Sequence, residues 1–263
     1  MKKIILLSLL ITASLISACS SKEQSKNNET AMNTNDECLI CGAPLEYLDN
    51  GDSMECEICH NTFFSKTRCK NGHFVCDECH TAGVDSIFYV CLNESSKNPV
   101  EILEKLMSMS FCHMHGPEHH ILVGSALLTA YKNAGGEIDL EQSLVELSRR
   151  AKQVPGGACG QWGACGAAIS TGMYVSIVTK ATPLTQESWG LSNLMTSKAL
   201  EKIGAIGGPR CCKRDSYLSI LAAIDFTNEH LGVSLEKPTI KCSRNSRNNQ
   251  CIKSRCPFSP LND

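Results

Sequence analysis

An excess of charge of either sign is missing from this chain. Its 263 residues carry 25 Lys and Arg against 27 Asp and Glu, a formal net charge of −2, and only 20% of residues are charged. No global field draws in nucleic acid, and no nucleic-acid partner is expected. Also missing is an apolar run long enough to cross a bilayer as a helix. Ile4–Ile16 is too short, and the stretch from Ala164 to Val178 is too short and too rich in Gly, Ser and Thr. No Gly-rich loop followed by an acidic residue sits in a strand–helix unit, which removes the fingerprint of a nucleotide-binding fold. Residues 20–37 nearly lack apolar side chains and cannot offset their chain entropy, so 19–37 reads as a flexible tether. Large apolar residues are also few between Cys38 and His80, and a core that small needs a metal staple.

What the chain has in abundance is cysteine, 17 residues in three sets. The first set is Cys19 alone. Lys2 and Lys3, the run Ile4–Ile16 and then Ile16-Ser17-Ala18-Cys19 read as a secretory signal over 1–18. A branched residue, two small residues and a cysteine resemble a bacterial lipobox. That resemblance implies cleavage before Cys19 and lipid upon it, with an ordinary signal peptide as the alternative. Acyl chains on one residue hold a protein to a membrane without a spanning helix. The expected location is therefore extracytoplasmic, at the cell membrane.

The second set is Cys38-x2-Cys41, Cys56-x2-Cys59 and Cys69-x3-His73-x2-Cys76-x2-Cys79. Two CxxC pairs with 14 residues between them match zinc-ribbon spacing, because each turn aims two thiolates at one point. Gly42 suits the first knuckle. Cys69, His73, Cys76 and Cys79 supply four more ligands, with His60 and His80 as substitutes for His73. Spacing leaves open whether the sites are sequential or cross-braced. Residues 56–79 resemble the first six ligands of a RING finger, but no closing CxxC follows Cys79. A small β-rich, zinc-ribbon-like module is expected over 38–80. It would hold zinc, or another tetrahedral metal such as iron, and act as a scaffold or docking knob.

Residues 81–263 read as mostly helical, which makes the fold class mainly α: a helical Cys-rich domain preceded by the small β-rich module. Helices are expected at Val84–Leu92, from the cap Asn98 to Met109, from Pro117 to Tyr131, and from the cap Asp139 to Gln153. Ala164 to Val178 reads as a buried helix packed through small residues. Further helices run from a Thr185 cap to Ile203, and from Cys212 or Lys213 to near Gly232. Val233 to Cys242 reads as a strand.

Four segments carry the chemistry. His113, His115, His119 and His120 lie within eight residues, so two or three imidazoles can meet at one point as cofactor ligands. Glu118 would serve there as a base or as an acceptor behind a ligand; a polar turn is the bland alternative. Cys159 and Cys165 are flanked by glycines, and a helix start at Cys165 favours thiolate. Cys211 and Cys212 repeat this design after Gly207-Gly208, beside Arg210, Lys213 and Arg214. A vicinal disulfide or a soft-metal site both fit that pair. Cys242, Cys251 and Cys256, the last before Pro257, would complete an iron–sulfur site or staple the tail by a disulfide. Their loop, from Lys241 to Cys256, is basic and reads as solvated or as an anion site. Cys91 and Cys112 read as core or peripheral. The functional expectation falls on Cys159, Cys165, Cys211 and Cys212, as redox thiols or cluster ligands.

The strings HMHGPEHH, VPGGACGQWGACGAAISTG and LSNLMTSKALEKIGAIGGPRCCKRDSY, with the cysteine tail, resemble an uncharacterised cysteine-rich family of archaea and anaerobic bacteria. The resemblance extends from Cys38 to the end. That family is a domain of unknown function, sometimes fused to or labelled SAM-dependent methyltransferase. The missing nucleotide loop keeps that label from being carried over. More loosely, the Gly/Cys loop and later cysteine pair resemble redox-active proteins with a C-GCA-G-C-C pattern. The family implies an anaerobic setting, which relaxes the pressure on exported thiols to pair. The expectation is a membrane-anchored metal- and thiol-containing protein with zinc in front and a redox or metal centre, iron–sulfur among the options, behind. A small molecule or redox partner would meet that centre, and enzymatic activity is left open. The alternatives are a non-catalytic metal-trafficking lipoprotein and a disulfide-stapled interaction protein.

Overall fold

The computed structural model describes residues 38–262 apart from 39, 42, 82, 84 and 110. The signal over 1–18, the tether over 19–37, the lipidation site Cys19 and the Gly42 knuckle lie outside the described residues. The fold is mainly α with one small antiparallel sheet near the front. Strands β1 (Leu45–Glu55) and β2 (Thr62–Cys69) form a hairpin whose register pairs Leu45 with Cys69 and Glu55 with Thr62, with a shift between Tyr47 and Asp52. One turn of helix, α1 (Asp77–His80), closes this module.

The helices that follow are α2 (Asp85–Leu92), α3 (Pro99–Met107), α4 (Glu118–Asn133), α5 (Leu140–Ala151), α6 (Ala158–Gln161), α7 (Gly166–Val178), α8 (Glu187–Ile206) and α9 (Cys212–His230). Local chemistry sets several ends. Asn98 Oδ1 accepts from the N–H groups of Val100 and Glu101, with Pro99 at the first helical position. Asp139 caps α5 through the N–H of Gln142. Thr185 does not cap α8: its hydroxyl turns back to the Thr182 carbonyl at 2.8 Å, and the helix starts at Glu187 without a side-chain cap.

Helix α4 is the core element, buried from Glu118 to Tyr131 except for His120, with α3, α5, α7 and α9 around it. Small residues make this possible. The N–H of Gly124 donates to Ser170 Oγ at 2.9 Å, and a Cβ on Gly124 would sit 2.6 Å from Leu147 Cδ1. Gly172 is equally tight against α8, where a Cβ would meet Ser192 O at 2.9 Å. The expected small-residue packing of α7 is thus realised. Residues 233–242 do not form a strand. Pro238 withholds a donor, and the N–H of Leu235 bonds to Asn228 Oδ1 instead of to a neighbouring strand. The segment runs extended into the tail, where the N–H of Cys242 meets Phe258 O at 2.8 Å. Among the described residues, no helix is long and apolar enough to cross a membrane.

Candidate functional site

The hairpin decides which front cysteines meet. Its register returns the end of β2 to the start of β1, so Cys69 arrives beside the loop holding Cys38 and Cys41. The chain then doubles back, and the N–H of Glu57 bonds to Phe74 O at 2.9 Å. This delivers Cys76 and Cys79 to the hairpin turn holding Cys56 and Cys59. Two groups result, Cys38–Cys41–Cys69–His73 and Cys56–Cys59–Cys76–Cys79, each with all ligand atoms within 4.8 Å of one another. The sites are cross-braced; the sequential zinc-ribbon partnering of Cys38 and Cys41 with Cys56 and Cys59 is not adopted. His73 is the imidazole that joins, with Nδ1 at 3.2 Å from Cys41 Sγ and 3.7 Å from Cys38 Sγ. His60 points to Glu55 and His80 to Glu118.

The spacing fits a tetrahedral ion. Cys41 Sγ is 3.6 Å from Cys69 Sγ, and Cys59 Sγ is 3.8 Å from Cys76 Sγ. A zinc–sulfur bond of about 2.3 Å gives a tetrahedral edge of about 3.8 Å. Backbone donors surround the sulfurs: Asn71 N lies 3.3 Å from Cys69 Sγ, and Cys76 N lies 3.3 Å from Cys56 Sγ. The N–H of Ala43, foremost, brings the Cys41 thiol down to about 6. Burial pushes Cys56 up, but the N–H groups of Cys59, Cys76 and Ile58 outweigh it and bring that thiol to about 6 as well. Both groups can hold a metal ion.

Among the described residues, several contacts tie the module to the helical part. His80 Nδ1 lies 3.1 Å from Glu118 Oε2, the N–H of Gly156 donates to Asp77 Oδ2 at 2.8 Å, and the Arg210 guanidinium lies 5.9 Å from the Tyr47 ring centre. Between these ties lies a cavity of about 470 Å³. Cys159, Cys165 and Cys212 line it together with His115, His119 and His120. His113 is not on this wall and stacks edge-on against His80, with ring centres 5.0 Å apart.

Burial sets the protonation of these groups. It lowers His115 to about 3, lowers His119 well below the usual imidazole range, and lowers His113 and His120. These histidines are therefore neutral at pH 7, and His115 is already engaged at both ring nitrogens, Nδ1 by the N–H of Cys212 at 3.4 Å and Nε2 by Asn248 Oδ1 at 3.3 Å. His120 Nδ1 is engaged by Val154 O at 3.1 Å, which leaves Nε2 as the available atom. The thiols do not behave as their helix starts suggest. Burial pushes Cys165 up to about 12, Cys211 up to about 11, and Cys212 well above the ordinary thiol value. Desolvation of the sulfur outweighs the N–H groups of Ala167 and Ala168 at Cys165 and that of Gly116 at Cys212. They are protonated thiols, not free thiolates.

Cys211 departs from its neighbour. It lines a second, smaller pocket with Cys242, Cys251 and Cys256. All of these are free thiols, and the pair Cys211–Cys212 is not a vicinal disulfide. A third tight group, Cys112–Glu118–His119, also has its ligand atoms within 4.8 Å. Lys213 Nζ lies 3.0 Å from Cys112 Sγ, so an ammonium already stands where a cation would sit. Glu118 is fully buried; burial pushes its carboxyl up, but His80 and His119 prevail and hold it at about 2. The sequence pointed to Glu118 and His119 but read Cys112 as core or peripheral, and the contact of Cys112 with Lys213 joins residues far apart in the chain.

Compared with curated proteins and with solved structures, the chain finds no match. The match to a family model spans residues 87–259, so it takes in the histidine segment, both glycine–cysteine loops and the cysteine tail but not the metal module of 38–80. The front module, expected within the family resemblance, lies outside the matched span. The chain belongs to DUF5714, a family of unknown function.

Proposed function

We propose that the chain is a lipid-anchored, extracytoplasmic metal- and thiol-containing protein. Zinc builds the front module, lipid on Cys19 attaches it to the membrane, and the helical domain carries out redox or metal chemistry on a small ligand. The observation that supports this best is the shared cavity, which three thiols and three neutral imidazoles line together. Its volume of about 470 Å³ is that of a small-molecule site. Thiols and imidazoles together suit soft or borderline metals. Zinc fits the front groups because closed, four-coordinate sulfur and nitrogen sets are the mark of structural zinc.

A carrier without turnover is the second reading. It is favoured by the raised thiols at Cys165 and Cys212, which argue against a standing nucleophile. The test is to purify the full chain anaerobically and titrate it with cuprous ion under a competing chelator. Replacing Cys165 and Cys212 with Ser should weaken uptake at least tenfold; unchanged uptake would sink the cavity as the working site. Replacing Cys19 with Ser should move the protein from the membrane to the soluble fraction.

A further inference from the structure

We propose that Cys211, Cys242, Cys251 and Cys256 form a four-thiolate cage for an iron–sulfur cluster of the [4Fe–4S] type. The proposal rests on the reading of the helical domain as the holder of a redox or metal centre, and it locates a centre in the tail, behind the cavity. The four sulfurs line one pocket, closed by the apolar side chains of Met114, Ile252 and Phe258. Cys211 caps α9, and the other three come from the tail, which the bond from Cys242 N to Phe258 O folds back upon itself.

Every sulfur receives an N–H donor. Arg214 N and Asn248 Nδ2 approach Cys211 Sγ at 3.5 and 3.3 Å, Arg244 N approaches Cys242 Sγ at 3.4 Å, and Lys253 N approaches Cys251 Sγ at 3.4 Å. The N–H of Phe258 serves Cys256. Such bonds hold thiolates and tune a cluster's potential. Charge points the same way. Lys213, Arg214 and Arg244 line the pocket, and all are buried. Arg214 spends Nε on Asp215 and one terminal nitrogen on Pro209 O, while its other terminal nitrogen is buried with no partner. An anionic occupant would satisfy that orphaned donor, and a cubane held by four thiolates is anionic.

Size separates a cluster from a single ion. The front module shows how this chain prepares a one-ion site, with ligand atoms inside 4.8 Å. Among the described residues, the tail cysteines do not form such a group, although they share a pocket. One tetrahedral zinc needs sulfurs about 3.8 Å apart, whereas a cubane bears its four thiolates on separate corners, further from one another. The void at the centre is small, about 20 Å³, so the tail must ease outward as a cluster is built. The tail belongs to no sheet and its helical pieces are single turns at 245–247 and 253–255, so no strand ladder or long helix opposes that shift.

The experiment is anaerobic reconstitution of the full chain with ferrous iron and sulfide, read by iron and sulfide content, visible absorbance and electron paramagnetic resonance after dithionite. The expected result is about four iron and four sulfide per chain, as a cubane requires, with absorbance that bleaches on reduction. Cys251→Ser and Cys256→Ser should each lose most of the iron while circular dichroism stays native; Cys159→Ser and Cys165→Ser should keep it. Iron lost from the cavity variants but kept by the tail variants would overturn the cage and leave a metal centre in the cavity. A zinc ion that disappears with Cys251→Ser would overturn the cluster and leave a metal centre in the tail. No iron beyond the front module in any preparation would overturn the cage, and the further absence of zinc or cuprous binding outside that module would overturn the reading on which it rests.

Discussion

Cys211 and Cys212 share a peptide bond and line different pockets. Cys211 is the N-cap of α9 and faces Cys242, Cys251 and Cys256; Cys212 is the first helical residue and faces the cavity with Cys165 and Cys159. The two pockets thus meet along the start of α9, and also at Met114 and His115, which line the one and the other. Serine is a good replacement for Cys211, because a hydroxyl can still cap α9 through the N–H of Arg214. Cys211→Ser should therefore keep the fold and lose most of the iron from the tail. Cys212→Ser should keep that iron and lose cuprous ion from the cavity. Paired metal assays on the two variants check this, and identical losses in both would contradict the separation.

Cross-bracing makes a counting prediction for the front module. Cys41 and Cys69 belong to one group, Cys59 to the other. The double variant Cys41→Ser/Cys69→Ser should retain one zinc in the module. Cys41→Ser/Cys59→Ser should retain none. Sequential sites would give the reverse. Zinc analysis of the full-length variants decides it, with the tail variant Cys251→Ser as background. Chelation of both ions should unfold the hairpin, since structural sites of this kind contribute their binding energy to folding.

Much of this molecule is local in origin, and that part is legible from the sequence. CxxC turns, the caps Asn98 and Asp139, and the small residues of α7 depend on neighbours a few positions away. What depends on distant partners is not. The partnering of Cys38 with Cys69 follows from hairpin register, which a string of spacings does not contain. The expected thiolates at Cys165 and Cys212 fail because tertiary burial outweighs the helix start. The strand expected at 233–242 has no neighbour to pair with. Lys213 stands beside Cys112 only because α9 crosses the start of α4, and the four tail-pocket cysteines converge only when the last segment folds back on α9.

His115 should make the protein sensitive to mild acid. Its Nε2 lies 3.3 Å from Asn248 Oδ1, and its Nδ1 faces the N–H of Cys212 at 3.4 Å. That arrangement needs a proton on Nε2 and none on Nδ1. Burial, foremost, lowers its pKa from 6.5 to about 3. The unfolded chain therefore takes up a proton that the folded chain refuses, and stability falls as pH drops below 6.5 toward 3. From pH 6.5 to 5 one such group costs about 2 kcal/mol. His115→Gln, which can donate and accept but not titrate, should lose less over that range. Urea unfolding of both proteins at pH 7 and pH 5 measures the difference, and parallel losses would show that His115 is not the acid-sensitive group.

The contact between α7 and α8 should tolerate no added carbon at Gly172. A Cβ there would overlap Thr196 Oγ1 and sit 2.9 Å from the carbonyl oxygen of Ser192. The hydroxyl belongs to a side chain that can be removed; the carbonyl belongs to the helix and moves only if α8 moves. Gly172→Ala should therefore destabilise by about 1–3 kcal/mol, the usual cost of overpacking. Adding Thr196→Ala should restore part of that loss and leave the share due to the backbone. Urea midpoints of the single and double variants measure both terms. Full recovery in the double variant would mean that the helices are not held at this distance by the glycine.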